Sequence, residues 1–295
     1  MDAKEAWMKV LVIGGNRFFG RHLVNELLSE NFDVTILNRG KLSANIDQKV
    51  KRIVVDRKNA AALKSAIGSK SWDIIYDQVC YSAQEARDAC QIFESKTKRY
   101  VVTSSESVYD DGLSQPESNF CPNDYAFTEE TSPEVNYQAA KRQMEKIFTK
   151  DAQFDLSIVR PSLVVGNDDY TRRLHWHVER IKKQLPIYFP ALNIHSDFIR
   201  SDHAGRALKI IGLSKQTGTI NCTSPGSIQL SHLISMCENA VENKAILATT
   251  KDNQNHSPYG GNADKTMDTR LLQSLGFKAP PSAEWMPSLI REISV

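Results

Sequence analysis

No stretch of this chain approaches the ~18 consecutive apolar residues of a membrane-spanning helix. The start, Met1-Asp-Ala-Lys-Glu-Ala-Trp7, carries acids. The apolar stretch behind it, Met8 to Ile13, contains Lys9 and runs into glycines, which does not read as a secretory signal core. A soluble, cytoplasmic protein without a membrane partner is the expectation. Cysteine is scarce and odd in number: Cys80, Cys90, Cys121, Cys222 and Cys237, with no C-x-x-C spacing. That excludes a disulfide framework and a zinc site, so no metal is expected. Excess charge of one sign is missing too, since 37 basic residues face 35 acidic ones for a net +2. No basic block interleaved with aromatics appears, and no nucleic-acid partner is expected. Lys49-Val-Lys-Arg52 and Arg180-Ile-Lys-Lys183, the densest basic spots, read as solvated faces. Internal repeats and low-complexity tracts are absent.

What is there is a 295-residue chain able to bury a large core, near the size at which cores divide. Strand-like and helix-like segments alternate. Val10 to Ile13, Asp33 to Leu37, Arg52 to Val55, Trp72 to Tyr76, Tyr100 to Thr103 and Leu156 to Val159 read as strands. Phe18 to Glu30, Ala60 to Ile67, Ala83 to Glu94 and Thr131 to Phe148 read as helices, the last with Thr131-Ser-Pro-Glu134 as its start signal. Such alternation with apolar strands predicts an α/β fold, a Rossmann-type doubly wound parallel sheet covered on both faces. After Gly166 the pattern changes. Tyr170 to Gln184, His203 to Leu213, Leu230 to Val241 and Thr269 to Leu275 read as helices, and Gly218 to Cys222 as a strand. The expected division is interleaved: residues 1–165 plus about 192–222 for the sheet domain, and about 166–191 plus 223–295 for a smaller C-terminal substrate lobe.

Gly14-Gly-Asn-Arg-Phe-Phe-Gly20 lies between the first strand and the first helix, where a dinucleotide's pyrophosphate docks. Glycines let the backbone approach the phosphates, and the helix N-terminus offers free N–H groups. An NAD-binding chain tends to carry an acid at the end of the second strand, whereas arginine suits a 2′-phosphate. Here Asn38-Arg39-Gly40 stands there, with no acid until Asp47. Arg17 and Arg39 could converge on one phosphate, so NADP(H) is preferred, with NAD(H) as the alternative.

Tyr137 and Lys141, four residues apart, lie one above the other on a helix face. A positive charge that close favours phenolate, which makes a tyrosine a usable proton donor and acceptor. Ser104-Ser105 ends a strand upstream of the pair.

In that order these motifs resemble the extended short-chain dehydrogenase/reductase superfamily, in its NAD(P)-dependent epimerase/dehydratase-like group. The resemblance covers nearly the whole chain. It implies a cofactor site at Gly14, Gly15, Asn16, Arg17, Phe18, Phe19, Gly20, Asn38 and Arg39, with Asp56 contacting adenine. Val79, Cys80, Lys141 and Pro161 would surround the nicotinamide. The implied catalytic set is Ser105, matched by its place before Val108-Tyr109, with Tyr137 and Lys141 from Tyr137-x-x-x-Lys141-x-x-x-Glu145. Asp202-His-Ala204 matches a helix-start motif. Where dehydratases of the family carry an Asp-Glu pair, this chain has Glu106-Ser107, so one acid remains. The implied chemistry is hydride exchange with a carbonyl or secondary alcohol of a small-molecule substrate, with sugar nucleotides leading and small ketones or aldehydes second. A silent binding protein on the same fold, for RNA or a regulator, is the other reading. A homodimer stays open.

On the substrate side, Glu106, Asp168, Arg172, Arg173 and His175 are the candidates, grouped around the opening of the second lobe. An anionic substrate would suit the arginines. His175-x-His177 is no metal pair, because residues two apart on a helix diverge.

Overall fold

The computed structural model describes residues 8–41 and 48–295. The expectations touching Met1 to Trp7 and Asp47 lie outside the described residues. In chain order the elements are β1 (Lys9–Ile13), α1 (Phe18–Ser29), β2 (Asp33–Asn38), β3 (Lys51–Val54), α2 (Ala60–Ile67), β4 (Ile74–Asp77), α3 (Ala83–Phe93), β5 (Arg99–Thr103), β6 (Gly112–Gln115), α4 (Tyr137–Asp151) and β7 (Asp155–Pro161). There follow β8 (Leu163–Val165), α5 (Arg173–Lys182), β9 (His195–Ser196), β10 (Phe198–Arg200), α6 (Ser201–Leu213), β11 (Gly218–Cys222), β12 (Ile228–Gln229), α7 (Leu230–Val241), β13 (Lys265–Met267), α8 (Arg270–Ser274) and α9 (Ser282–Ser294).

Seven strands form one sheet in the order β11-β7-β5-β4-β1-β2-β3, every pair parallel. The order reverses at β1, so the crevice beyond the carboxyl ends of β1 and β4 is the topological switch point where such sheets bind ligands. Alternation along β1 shows why helices cover both faces. Val10 and Val12 join a core with Leu23, Val24 and Leu27 of α1 and Ala207, Leu208 and Ile211 of α6. Leu11 and Ile13 point to the other face, against Leu63 of α2, Ala86 and Phe93 of α3 and Met144 and Phe148 of α4.

A third core gathers Leu174, Val178 and Ile181 of α5, Leu233 and Ile234 of α7 and Trp285, Met286 and Leu289 of α9. Beside it lies a small sheet, β12-β9-β13-β6, while β8 and β10 pair separately. Thus His195–Ser196 and Gly112–Gln115 belong to the small sheet, and within the expected 192–222 stretch it is β11 that completes the large one.

Two helix starts differ from expectation. α4 begins at Tyr137, not Thr131, because Asn136 caps it: its side chain accepts from the Ala139 amide at 3.0 Å. Ser132 to Asn136 is instead a separate turn, with Asn136 N donating to Ser132 O at 3.0 Å. α5 begins at Arg173, not Tyr170, because Arg172 sits in the left-handed region at φ 54°.

Gly205 of α6 lies against α1, where an added Cβ would come within 2.7 Å of the Leu23 backbone nitrogen. Backbone cannot yield as a side-chain tip does. Gly205→Ala should therefore destabilise the protein by about 1–3 kcal/mol, the usual cost of overpacking. A urea midpoint equal to that of the unsubstituted protein would refute this close approach.

Candidate active site

The switch point holds a cleft of about 580 Å³, lined by residues from the ends of β1 to β4 and from the start of α4. Gly14, Asn16, Arg17, Asn38, Arg39, Asp56, Val79 and Tyr137 all line it. Gly14 has φ +91°, and a Cβ there would lie 2.7 Å from Val79 Cγ1. At Gly20 a Cβ would lie 2.9 Å from the Gly14 carbonyl oxygen. Both positions need glycine for the turn to close at the head of α1. Gly15 is buried inside the turn, and Phe18 and Phe19 pack into or against the core behind it. Phe18 itself has φ 52°, a strained conformation for a residue of its size.

Both arginines line this one cleft. Arg39 stands beyond β2 with Gly40 and Lys41, beside Asp56, Arg57 and Lys58 beyond β3. Arg17 has its guanidinium carbon 3.6 Å from the centroid of the Tyr170 ring.

Behind the cleft a network of charges is sealed in. Arg57 donates to Asp77 Oδ2 at 2.5 Å, and the Tyr100 hydroxyl donates to the same oxygen at 2.8 Å. Asp77 Oδ1 accepts from the Val79 amide at 3.1 Å, and Glu85 Oε2 accepts from the Tyr81 amide at 2.7 Å. The segment from Val79 to Tyr81 is thereby pinned. Its Cys80 carbonyl accepts from Lys141 Nζ at 2.7 Å, and the Thr103 carbonyl at the end of β5 accepts at 3.0 Å. The Cys80 side chain is buried and its thiol is pushed far up by that burial, so it contributes a wall and a carbonyl and no nucleophile.

Lys141 is 1% exposed, and its ammonium lies 4.6 Å from the Tyr81 ring centroid and 5.9 Å from that of Tyr137. Tyr137, 41% exposed, presents its ring to the cleft. One turn beyond Lys141, Glu145 is wholly buried against Arg160, with contacts of 3.1 and 2.6 Å, and accepts from Ser104 Oγ at 2.5 Å. Ser105 is half-buried at the end of β5, its hydroxyl accepting from the Ser107 amide at 3.1 Å. Pro161 ends β7 opposite Cys222.

The substrate-side candidates scatter. Glu106 is buried beside Ser105, with Oε2 lacking a hydrogen-bond partner among the described residues. Its surroundings include the acid Asp197 and the cations Lys265 and Arg173. Arg172 pairs at the surface with Glu179. With Arg173 it lines a separate hollow of about 360 Å³ beside Trp176 and His256. Asp168 binds His22 at 3.0 Å and Ser201 at 2.8 Å in the seam between α1 and α6. Burial opposes its ionisation, yet those hydrogen bonds hold its carboxyl below the usual range. His175 is buried on the inner side of α5, which holds its imidazole below the usual range. His177 hydrogen-bonds to Ser257 Oγ at 2.8 Å, and no group of three or more metal-ligating side chains occurs among the described residues. None of the helices in those residues is long and apolar enough to cross a membrane.

Sequence reasoning missed Lys41, Arg57, Lys58, Tyr81, Pro133 and Glu134, which complete the cleft wall. An acid closing the otherwise apolar β4, at Asp77, was the available signal for a buried cation such as Arg57.

Comparison with known proteins agrees with this geometry. The chain matches the NAD dependent epimerase/dehydratase family over residues 10–221. The UDP-glucose 4-epimerase of Thermotoga maritima, solved with UDP-glucose, superposes with a TM-score of 0.76 at 14% identity, covering 97% of this chain and 98% of that one. UDP-glucose 4-epimerase from Thermus thermophilus, solved with NAD, gives 0.68 at 14% identity over 96% and 97%. A curated relative, the chloroplast stem-loop binding protein of 41 kDa b from Arabidopsis thaliana, is 24% identical over 250 residues, or 79% of this chain. The matched region spans 63% of that relative's length. With the family match reaching from β1 to β11, the chain belongs to the NAD dependent epimerase/dehydratase family.

Proposed function

We propose that this protein is an NAD(P)-dependent oxidoreductase of the epimerase type, exchanging hydride with a carbonyl or secondary alcohol carbon. The observation that carries this is the placement of Tyr137 in the same cleft as the glycine turn, one helical turn from the pinned Lys141. The cleft fits a dinucleotide: its turn admits no Cβ at Gly14 or Gly20, and its volume of about 580 Å³ lies within the range of cofactor sites. When bound, that cofactor supplies or accepts the hydride at C4 of its nicotinamide.

The chain's own residues do the rest. Tyr137 gives its hydroxyl proton to the substrate oxygen as a carbonyl is reduced, and takes it back in the reverse direction. Ser105 donates a hydrogen bond to that oxygen and fixes its position. Lys141 brings a positive charge beneath the phenol and holds α4 to the sheet; its third N–H meets only the weak acceptor Met144 Sδ at 4.0 Å, which a nicotinamide ribose hydroxyl would displace. Arg39, Lys41 and Lys58 form a cationic rim beyond β2 and β3 that favours the 2′-phosphate of NADP(H) over NAD(H). A sugar nucleotide is the substrate class supported by the UDP-sugar ligand of the T. maritima epimerase and by Arg173 near Glu106. The name of the plant relative favours a second reading, RNA binding without turnover. Salt-sensitive retention on RNA with no cofactor consumption would select it.

Titration of NADPH and NADH by tryptophan fluorescence checks the cofactor. NADPH should bind more tightly, and Arg39→Asp should remove most of the difference. Equal affinities in the unsubstituted protein would overturn the 2′-phosphate assignment. On an identified substrate, Tyr137→Phe should cut turnover by about 10²–10⁴ while cofactor affinity stays nearly constant. Undiminished turnover in that variant would remove Tyr137 from the chemistry.

Glu106 gives a pH signature. Burial first, then the negative charge of Asp197, raises its carboxyl to about 8, against the opposing charges of Lys265 and Arg173. Burial likewise raises Asp197 to about 7, opposed by the Met267 amide. The folded state therefore keeps protons that the unfolded chain has released, so stability falls as pH rises through this window. It is full below the ordinary carboxylate range and lowest above about 8. Urea midpoints of the cofactor-free protein should decline from about pH 5 to pH 8.5, and Glu106→Gln should flatten the slope. A wild-type midpoint independent of pH would show that no buried proton is held there.

A further inference from the structure

Among the described residues Arg17 has no side-chain hydrogen bond and no ion pair, yet its position is defined. Its guanidinium carbon lies over the Tyr170 ring, 3.6 Å from the centroid, a separation so short that the approach must be by the face. A guanidinium stacked by its face keeps its N–H edge free, the edge that grips phosphate. Tyr170 also meets the Phe18 ring edge-on, with centroids 5.9 Å apart and planes at 86°. One aromatic from the segment between β8 and α5 thus braces both Arg17 and the strained Phe18, the two residues where the glycine turn becomes α1. The burial that raises the Tyr81 phenol is reinforced by Tyr170 and Tyr137 and opposed by Arg17, which puts these four side chains in one neighbourhood. Tyr81 follows β4, so Arg17 stands on the β4 side of β1, away from Arg39 beyond β2. At the head of α1 the nearest part of a bound dinucleotide is its diphosphate.

We infer that Tyr170 is a positioning residue for the cofactor: its ring holds the Arg17 guanidinium at the diphosphate, while Arg39 serves the 2′-phosphate. This rests on the dinucleotide reading of the cleft. Tyr170 belongs to the segment that leads through Arg172 into α5, so the brace ties the glycine turn to the start of that helix. Tyr170 is 50% exposed, so replacing it removes the brace without opening a core.

The test is a double-mutant cycle read by fluorescence titration of NADPH and of adenosine 2′-monophosphate, which lacks both phosphates of the diphosphate. Arg17→Ala and Tyr170→Leu should each weaken NADPH about tenfold, and the double variant no more than either alone. Tyr170→Phe, which keeps the stacking face, should stay within about twofold of wild type. Adenosine 2′-monophosphate should bind all four variants as it binds the wild type. Multiplying effects in the double variant, or an unchanged affinity in Tyr170→Leu, would overturn the inference. So would a parallel loss for the 2′-monophosphate, which would return Arg17 to the 2′-phosphate. A wild type that binds neither NADPH nor NADH would instead sink the dinucleotide reading, and this inference with it.

Discussion

The ammonium of Lys141, sealed from solvent and held by two main-chain carbonyls, is the tie on which the rest of the site depends. A buried charge costs several kcal/mol unless its donors are satisfied, so the helix that carries it can sit in few places. One carbonyl ends β5 and the other lies in the segment that follows the adjacent β4, and together they fix α4 across the switch point. Tyr137 then has no freedom but to stand one turn towards the N-terminus, facing the cleft. A turn the other way, Glu145 is locked on Arg160 of β7, both wholly buried. Three successive turns of one helix thus carry a cleft-facing phenol, a charge bound to the sheet and an ion pair behind it. Buried pairs of this kind contribute little net stability; what they provide here is register between helix and sheet.

The tie would be loose if its acceptor could move. Cys80 belongs to a segment outside any strand or helix, and such segments drift unless held. Asp77 and Glu85 hold it from both ends through the Val79 and Tyr81 amides, while Arg57 neutralises them from below. The charge on Arg57 therefore reaches Tyr137 through a chain of contacts: carboxylates, pinned amides, one carbonyl, one ammonium. The links from Arg57 through Asp77 to the Lys141 ammonium are hydrogen bonds of 2.5 to 3.1 Å, which is what allows a loop to serve as a rigid wall.

How much of this was legible follows from the same physics. The large sheet could be read because its strands are buried on both faces and stand out as apolar runs. α2, α7 and β11 have the bounds expected, since caps or turns flank clear periodic segments. The start of α4 was misplaced because Thr131-Ser-Pro-Glu134 and Asn136 both carry capping chemistry, and only the Asn136 side chain finds an amide to accept from. Strands of two to four residues in the small sheet have no period to detect, and α9 carries Pro287 inside it, which reads as a break. In the site, Tyr137, Lys141 and the glycine turn were visible as local spacing. The partners of Lys141 were not: they are backbone atoms 61 and 38 residues away, and a carbonyl has no letter in a sequence. Nor was Tyr170, whose contact with Arg17 exists only once two lobes meet.

The comparison with solved epimerases separates what the fold requires from what a substrate requires. At 14% identity a TM-score of 0.76 shows the same architecture persisting through almost complete replacement of side chains. Such persistence is expected where alternating burial and a few buried charges set the geometry, because many sequences satisfy both conditions. Substrate recognition obeys neither. The outer arginines Arg172 and Arg173 are exposed or half-exposed, and local turns and surface pairs set their orientation. The left-handed Arg172 pairs with Glu179 and not with the cleft, and Asp168 is taken up by the α1–α6 seam. Beside Ser105 lies the buried oxygen of Glu106, without a hydrogen-bond partner among the described residues and set between an acid and two cations. A group in that position carries a proton or meets a ligand's polar atom, since a bare buried carboxylate oxygen is too costly to leave unsatisfied.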